Sequence, residues 1–322
     1  MPAFTARGHK NAYKLSFYSR HALQRLVPAA WLRAHRESIM RKIDAMGEKD
    51  HLQLLNRVNY YNKLERSFSV SNDAPRIRDF KREKSWAYYL DMLAILRFFP
   101  RDMRFYYQFG DVTQVPKVPT FVKSRPVGEK NHNAVLLKLN KVRHYYMVND
   151  PLPFDAKKNK VVWRGACHQP HRQRFIEDFH DHPLCDVGDV HRKATGKPWH
   201  RDFMSVADQL QHKFILSIEG NDVATNLKWI MASNSLCFMT KPRYETWFME
   251  GALVPGYHYV ELNEDYSDLE EKIRYYTKHD AEAKAIIANA NGYVDQFKDE
   301  GKERLLSLLV MEKYFEFSGQ TE

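Results

Sequence analysis

Three stretches of this 322-residue chain bring together residue types able to do chemistry. The first is Gly110-Asp111, which ends an aromatic run at 103–109 and precedes Val112-Thr113-Gln114-Val115-Pro116. A carboxylate at a strand end is placed to accept a proton from a hydroxyl. An isolated Asp after a Gly is far more often an ordinary turn residue, so the residues alone favour the turn. The second stretch is Val161-Val162-Trp163-Arg164-Gly165, followed by Pro170-His171-Arg172. A strand running into Arg164-Gly165 sets a cation and pliant backbone at the carboxyl edge of a sheet, where α/β proteins bind ligands. Arg172 then falls at the start of a helix, so two guanidiniums and the helix N–H groups can converge on a diphosphate. Solvated surface arginines are the plain alternative. The third stretch, 217–229, repeats the logic: an apolar strand ends in Glu219-Gly220-Asn221-Asp222 and a helix begins. Gly220 lets backbone approach a ligand, and Asn221, Thr225 and Asn226 offer neutral hydrogen-bonding groups. Capping of the helix by Asn or Asp accounts for the same letters.

Other chemistries lose support. The chain has no G-x-G-x-x-G, no P-loop, no G-x-S-x-G and no H-E-x-x-H, the marks of dinucleotide, nucleotide-triphosphate, serine-hydrolase and zincin sites. Cys167, His168, His171, His180, His182 and Cys185 are the right donors for zinc. They lack a clean paired framework, so no metal is expected.

The elements that position these residues follow from patterning. Lys+Arg number 50 against 40 Asp+Glu, a net +10, and the composition (43% hydrophobic, 28% charged) is that of a globular protein. Nine of the cations (Arg7, Lys10, Lys14, Arg20, Arg25, Arg33, Arg36, Arg41 and Lys42) fall before residue 43, with Glu37 the single acid there. The rest of the chain is nearly neutral. Leu23, Leu26, Trp31 and Leu32 recur among these cations at helical spacing, divided by Pro28. Such a basic amphipathic segment suits an anionic membrane or a phosphate-rich ligand. A nucleic-acid partner is not expected, because no Lys/Arg stripe continues into the remainder. No run of 18 apolar residues exists, the start lacks the apolar core of a secretory leader, and three cysteines suit a reducing compartment.

A polar connector at 76–84 precedes a helix over 86–99, and strands are expected at 103–109, 118–123 and 135–139. Pro-containing 149–160 reads as a domain boundary. Beyond it come strands at 161–163, 213–218, 236–239 and 257–262, with helices at 173–179, 223–233 and 268–279, a helical turn at 245–249, and a last amphipathic helix at 304–317. Strand–loop–helix repetition argues for an α/β fold with a parallel sheet. The expected domains are 1–150, 151–300 and 301–322, the last a C-terminal helix.

In this order the motifs resemble glycosyltransferase family 90, which contains bacterial lipopolysaccharide-core transferases, fungal capsule xylosyltransferases and animal protein O-glucosyltransferases. Trp163-Arg164-Gly165 and Pro170-His171-Arg172 match its W/F-R-G…P-x-R element. Gly220, Lys228 and Ser235-Leu236-Cys237 match its second fingerprint; Trp247-Phe248, Leu253-Val254-Pro255 and His258-Tyr259-Val260 match its third. Gly110 to Pro116 looks like the segment carrying the family's catalytic aspartate. The likeness is greatest to the branch adding a hexose to the inner core of lipooligosaccharide. It implies a GT-B fold of two Rossmann-like domains with an interdomain cleft, the first holding the acceptor and the second the nucleotide, an inverting reaction with Asp111 as base, and a UDP-hexose donor without cofactor or metal. The donor contacts it implies are Arg164, Gly165, Arg172, Gly220, Asn221, Asp222, Ala224, Thr225, Asn226 and Lys228. Asn226 stands where eukaryotic relatives carry an arginine, which shifts stabilisation of the leaving group to Arg164, Arg172, the Gly220 turn or Lys228. The implied partners are a lipid-linked oligosaccharide and an anionic membrane surface met through Arg20, Arg25, Arg33 and Arg36, with the enzyme cytoplasmic and peripheral to the inner membrane. A non-catalytic phosphate- or nucleic-acid-binding protein is the alternative class, resting on charge and aromatics alone.

Overall fold

The computed structural model describes residues 6–44, 46–83 and 85–321. Residues 1–5 of the basic segment and Lys84 at the end of the expected connector lie outside the described residues, as do the side chains of Arg7, Lys10 and Lys42. In chain order the strands are β1 (Tyr107–Gln108), β2 (Thr120–Val122), β3 (Ser124–Pro126), β4 (Ala134–Leu136), β5 (Lys158–Gly165), β6 (Cys185–Asp189), β7 (His212–Leu216), β8 (Leu236–Thr240), β9 (Tyr244–Thr246) and β10 (Val260–Leu262). Most are shorter than their apolar runs, and the molecule is a mixed α/β protein with parallel sheets.

Two compact units form. One takes residues 144–243 and 252–296, with those up to Ala12. Its sheet has the order β10-β8-β7-β5-β6, every pair parallel. Numbered by appearance within the unit, that is the doubly wound order 2-1-3-4-5. Phe214 and Leu216 of β7 and Phe238 of β8 are fully buried, as strands of an all-parallel sheet must be. Their core continues into Phe175 and Ile176 of the helix Pro170–Phe179, Leu269 and Ile273 of Leu269–Lys278, and Ile286 and Ile287 of Asp280–Asp295. The sequence reading missed β6 and the helix Asp280–Asp295, and it extended the helix after β7, which is only Leu227–Met231.

The other unit takes 13–143, 244–251 and 297–322. Its parallel sheet is β1-β2-β4. Where a helical turn was expected at 245–249, the chain instead forms β9, antiparallel to β3, with Arg125 opposite Glu245. Both side chains are buried, and their ion pair (2.7 Å) is the reason: a buried cation needs a buried carboxylate. Pro28 does divide two helices, Ala6–Leu26 and Ala29–Asp44. The last helix, Glu300–Phe317, feeds Tyr314 and Phe315 into this unit's core and presents Glu303 to Arg57 and Lys138, each at 2.7 Å. Trp247 Nε1 donates to the same carboxylate (2.7 Å), and its ring stacks on Tyr61 at 3.7 Å. The Trp247-Phe248 motif is therefore an internal brace of this unit.

Candidate functional site

In the five-stranded sheet the chain leaves β5, forms β6 on one side, then returns to place β7 on the other. The connections after β5 and β7 thus depart in opposite directions, and the crevice between them is the ligand position of a doubly wound sheet. The loop after β5, which ends at Gly165, holds Ala166 to Gln169, and the loop after β7 holds Ser217 to Asn226. The second and third motif stretches meet at this point of the fold.

Arg172 joins the two loops. Its Nε donates to Glu219 O (2.8 Å), Nη2 to Ile218 O (2.6 Å) and Nη1 to Ala166 O (3.1 Å). Its guanidinium carbon sits 5.5 Å from the Trp163 ring centroid, a cation–π contact. Gly165 makes room for that ring: a Cβ there would lie 2.4 Å from Trp163 Cζ2. The motif W-R-G…P-x-R therefore builds a platform, a gap and a clamp on backbone carbonyls. Arg164 goes elsewhere, across to β6, donating to Asp186 Oδ1 (2.6 Å) and Asp186 O (2.7 Å). A cavity of about 320 Å³, lined among others by Lys158, Lys160, Asp186, Arg201 and His212, opens beside the amino-terminal halves of β5, β6 and β7 and includes none of the expected donor contacts.

Around the clamp, His171 Nε2 lies 2.8 Å from Glu219 O, and burial holds its pKa below the ordinary histidine value, so a neutral ring with Nε2–H donates there. Gln169 Nε2 donates to Asn221 Oδ1 (3.0 Å), tying the loops a second time. The Glu219 carboxylate receives Arg243 N (3.0 Å) and Nε (2.8 Å) from the segment after β8. Gln169, His171, Glu219 and Arg243 were missed as site residues; the adjacency of Glu219 to Gly220 at a strand end was the one available signal. Asn226 Nδ2 donates to Leu216 O (2.9 Å) and its Oδ1 receives Ser217 Oγ (3.3 Å), which pins the loop to its strand. Asp222 and Ala224 are buried, Thr225 half-buried, Asn221 exposed, and Lys228 fully buried in the short helix that follows.

Asp111 belongs to the other unit. Gly110, at φ +103°, makes the turn a side chain would resist, and Val112 N donates to Ser124 Oγ (3.2 Å), fixing the loop against β3. Lys123, buried between β2 and β3, donates to Asp111 Oδ1 at 2.8 Å. This lysine was also missed; its signal is a cation directly after the buried stretch Thr120-Phe121-Val122. The contact orients the carboxylate and sets a cation beside it.

Of the four N-terminal arginines, Arg20 pairs with Glu300 and Arg36 with Glu312 (2.8 Å). Arg25 is exposed and Arg33 half-buried. Cys167, Cys185 and Cys237 are buried free thiols; burial pushes the first two up to about 12 and raises the third as well, so all stay protonated. Among the described residues no group of three or more His, Cys, Asp or Glu is arranged to hold a metal ion. Nor is any helix among them long and apolar enough to cross a membrane.

A family model described as glycosyl transferase family 90 matches residues 131–301. An O-glucosyltransferase LpsA of Dichelobacter nodosus is 52% identical over 307 residues, which are 95% of this chain and 96% of the relative. Protein O-glucosyltransferase 2 of Danio rerio is 34% identical over 140 residues, 41% of this chain and 28% of the relative. Human protein O-glucosyltransferase 3 is 28% identical over 139 residues, 40% and 26% of the two chains.

Proposed function

The chain belongs to glycosyl transferase family 90, and from that membership we propose an inverting, metal-independent enzyme that moves a hexose from a UDP-sugar to an inner-core sugar of a lipid-linked oligosaccharide. Glucose is the hexose named for the LpsA relative. The observation that supports donor binding most is the meeting of both motif loops at the switch point between β5 and β7. Donor on that unit and proton acceptor on the other is the division of labour of a GT-B enzyme. Asp111 accepts the proton of the acceptor hydroxyl as its oxygen attacks C1 from the face opposite UDP. The bond from C1 to the β-phosphate oxygen breaks with its electron pair, so the anomeric centre inverts and UDP leaves. Backbone N–H groups of His171 and Arg172 in the first turn of Pro170–Phe179, and of the loop 218–226 apart from Gly220, whose N donates to Asp222 O (2.9 Å), are the preorganised dipoles for the growing phosphate charge. Arg172 holds the turn in place by taking up its carbonyls. The enzyme would act in the cytoplasm, peripheral to the inner membrane, with Arg20, Arg25, Arg33 and Arg36 nearest the anionic surface.

A thermal-unfolding panel tests this. UDP at 100 times its dissociation constant should stabilise the protein by about 2.7 kcal/mol, equally with EDTA present, and GDP and CMP should do far less. Stabilisation that appears only after a divalent ion is added, or that ignores the base, would remove the proposal.

Arg172→Ala is expected to weaken UDP binding roughly tenfold, because the two loops lose the guanidinium that holds three of their carbonyls and binding must then re-order backbone at about 1–2 kcal/mol per residue fixed. Arg172→Lys should fall between, since one ammonium cannot span three diverging carbonyls. Titration of UDP against the three proteins decides it; an unchanged affinity in Arg172→Ala would release the clamp from this role.

A further inference from the structure

We propose that the outward face of the two N-terminal helices inserts into the interfacial layer of an anionic lipid bilayer, led by Leu15, Leu23, Leu26 and Trp31. This rests on the acceptor being lipid-linked, and it replaces surface charge with apolar insertion as the main attachment.

The helix Ala6–Leu26 has apolar residues on opposite sides. Its inward side carries Tyr13 and Phe17, packed with Ala87, Leu90 and Val142, and His21, whose Nε2 lies 3.5 Å from the buried Asp91. At about 100° per residue, Leu26 projects within about 20° of Leu15, Leu23 about 80° from Leu15, and all three away from Phe17. Leu15 is 69% exposed, Leu23 67%, Leu26 78% and, on the next helix, Trp31 56%; Tyr18 is exposed as well. Single exposed leucines need no explanation, but a row of them opposite an already packed face does. A helix facing water there would be polar on that side.

Charge selects the occupant. Lys14, Arg25 and Arg33 lie along the same helices, and among the described residues none of them has an ion-pair or side-chain hydrogen-bond partner. Arg20 and Arg36, by contrast, are held by Glu300 and Glu312. An apolar row flanked by unpaired cations fits the boundary between acyl chains and anionic headgroups, where long basic side chains reach up to the phosphates. Trp is the aromatic that favours that depth.

The test is flotation of the full chain with vesicles of phosphatidylethanolamine and phosphatidylglycerol, without donor or acceptor. Wild type should bind and should keep measurable binding near 1 M salt, where the screening length falls to about 3 Å. Replacing Leu15, Leu23 and Leu26 by Ser should lower partitioning at least roughly 100-fold at either salt concentration. Arg25→Gln with Arg33→Gln should cost roughly 30-fold at low salt and little at high salt. Quenching of Trp31 by lipids brominated on the acyl chain, read against Trp31→Phe, reports insertion with the leucines intact. Unchanged melting and UDP stabilisation in the serine variant confirm that it folds. Complete release of wild type at high salt, equal binding by the serine variant, or no Trp31-dependent quenching would each overturn the proposal. So would a wild-type dimer in lipid-free solution that the serine variant abolishes, since the face would then join two copies. Loss of vesicle binding would leave the transferase reading intact, and an inactive protein that still floats would leave insertion intact.

Discussion

An Asp111→Asn enzyme is expected to bind UDP like the wild type and to turn over roughly 10²–10⁴-fold more slowly, the range for loss of a general base. The substitution is nearly isosteric, and the amide oxygen still accepts from Lys123 Nζ, now 2.8 Å from the carboxylate. The turn at Gly110 and the bond from Val112 N to Ser124 Oγ involve no atom of the carboxylate. What disappears is the ability to accept a proton as the acceptor oxygen attacks. The effect should therefore fall on kcat at saturating donor and leave UDP affinity alone. Wild-type turnover in this variant would take Asp111 out of the mechanism.

The second large effect concerns folding. Arg125→Met should cost about 3–5 kcal/mol, the penalty for stranding one member of a buried ion pair. Arg125 is fully buried and donates to Glu245 (2.7 Å) and to the carbonyls of Tyr60 (2.6 Å), Tyr61 (3.2 Å) and Ala134 (3.0 Å). Glu245 would keep Tyr60 Oη as a donor but lose its cation. The urea midpoint should drop steeply in the single variant. It should recover in part when Glu245→Leu is added, because no carboxylate is then left buried without a cation. A single variant with the wild-type midpoint would show that the pair contributes nothing to stability.

Much of the sheet architecture was legible because buried parallel strands are unbroken apolar runs, as Phe214-Ile215-Leu216 is. β6 escaped because Asp186, Gly188 and Asp189 interrupt it, and an edge strand tolerates such letters. β9 was read as a helical turn because its partner β3 lies more than a hundred residues away, where no local pattern can point to it. The candidate site divides similarly. Motif spacing located the loops after β5 and β7, since strand, Gly and helix start are local events. It could not say where each guanidinium goes. Arg172 is claimed by backbone carbonyls, which are the same for every residue type, and Arg164 by an aspartate on a strand that had not been recognised. Lys123 escaped for a related reason: its partner lies twelve residues earlier, across a turn.

The order in which the two units can close as the chain leaves the ribosome follows from the discontinuous one. Residues 144–243 and 252–296 are complete before the helix Glu300–Phe317 exists. The unit begun at Tyr13 must wait for it, because Arg57, Lys138 and Trp247 all take Glu303 as partner, and Asn62 donates to Val310 O (3.0 Å). The unit begun first is thus the unit that closes last. During that interval its cations and apolar side chains are exposed to chaperones, proteases and neighbouring nascent chains. A stop codon some twenty residues early would remove no mere tail; it would leave the earlier-made segment 13–143 without its final layer.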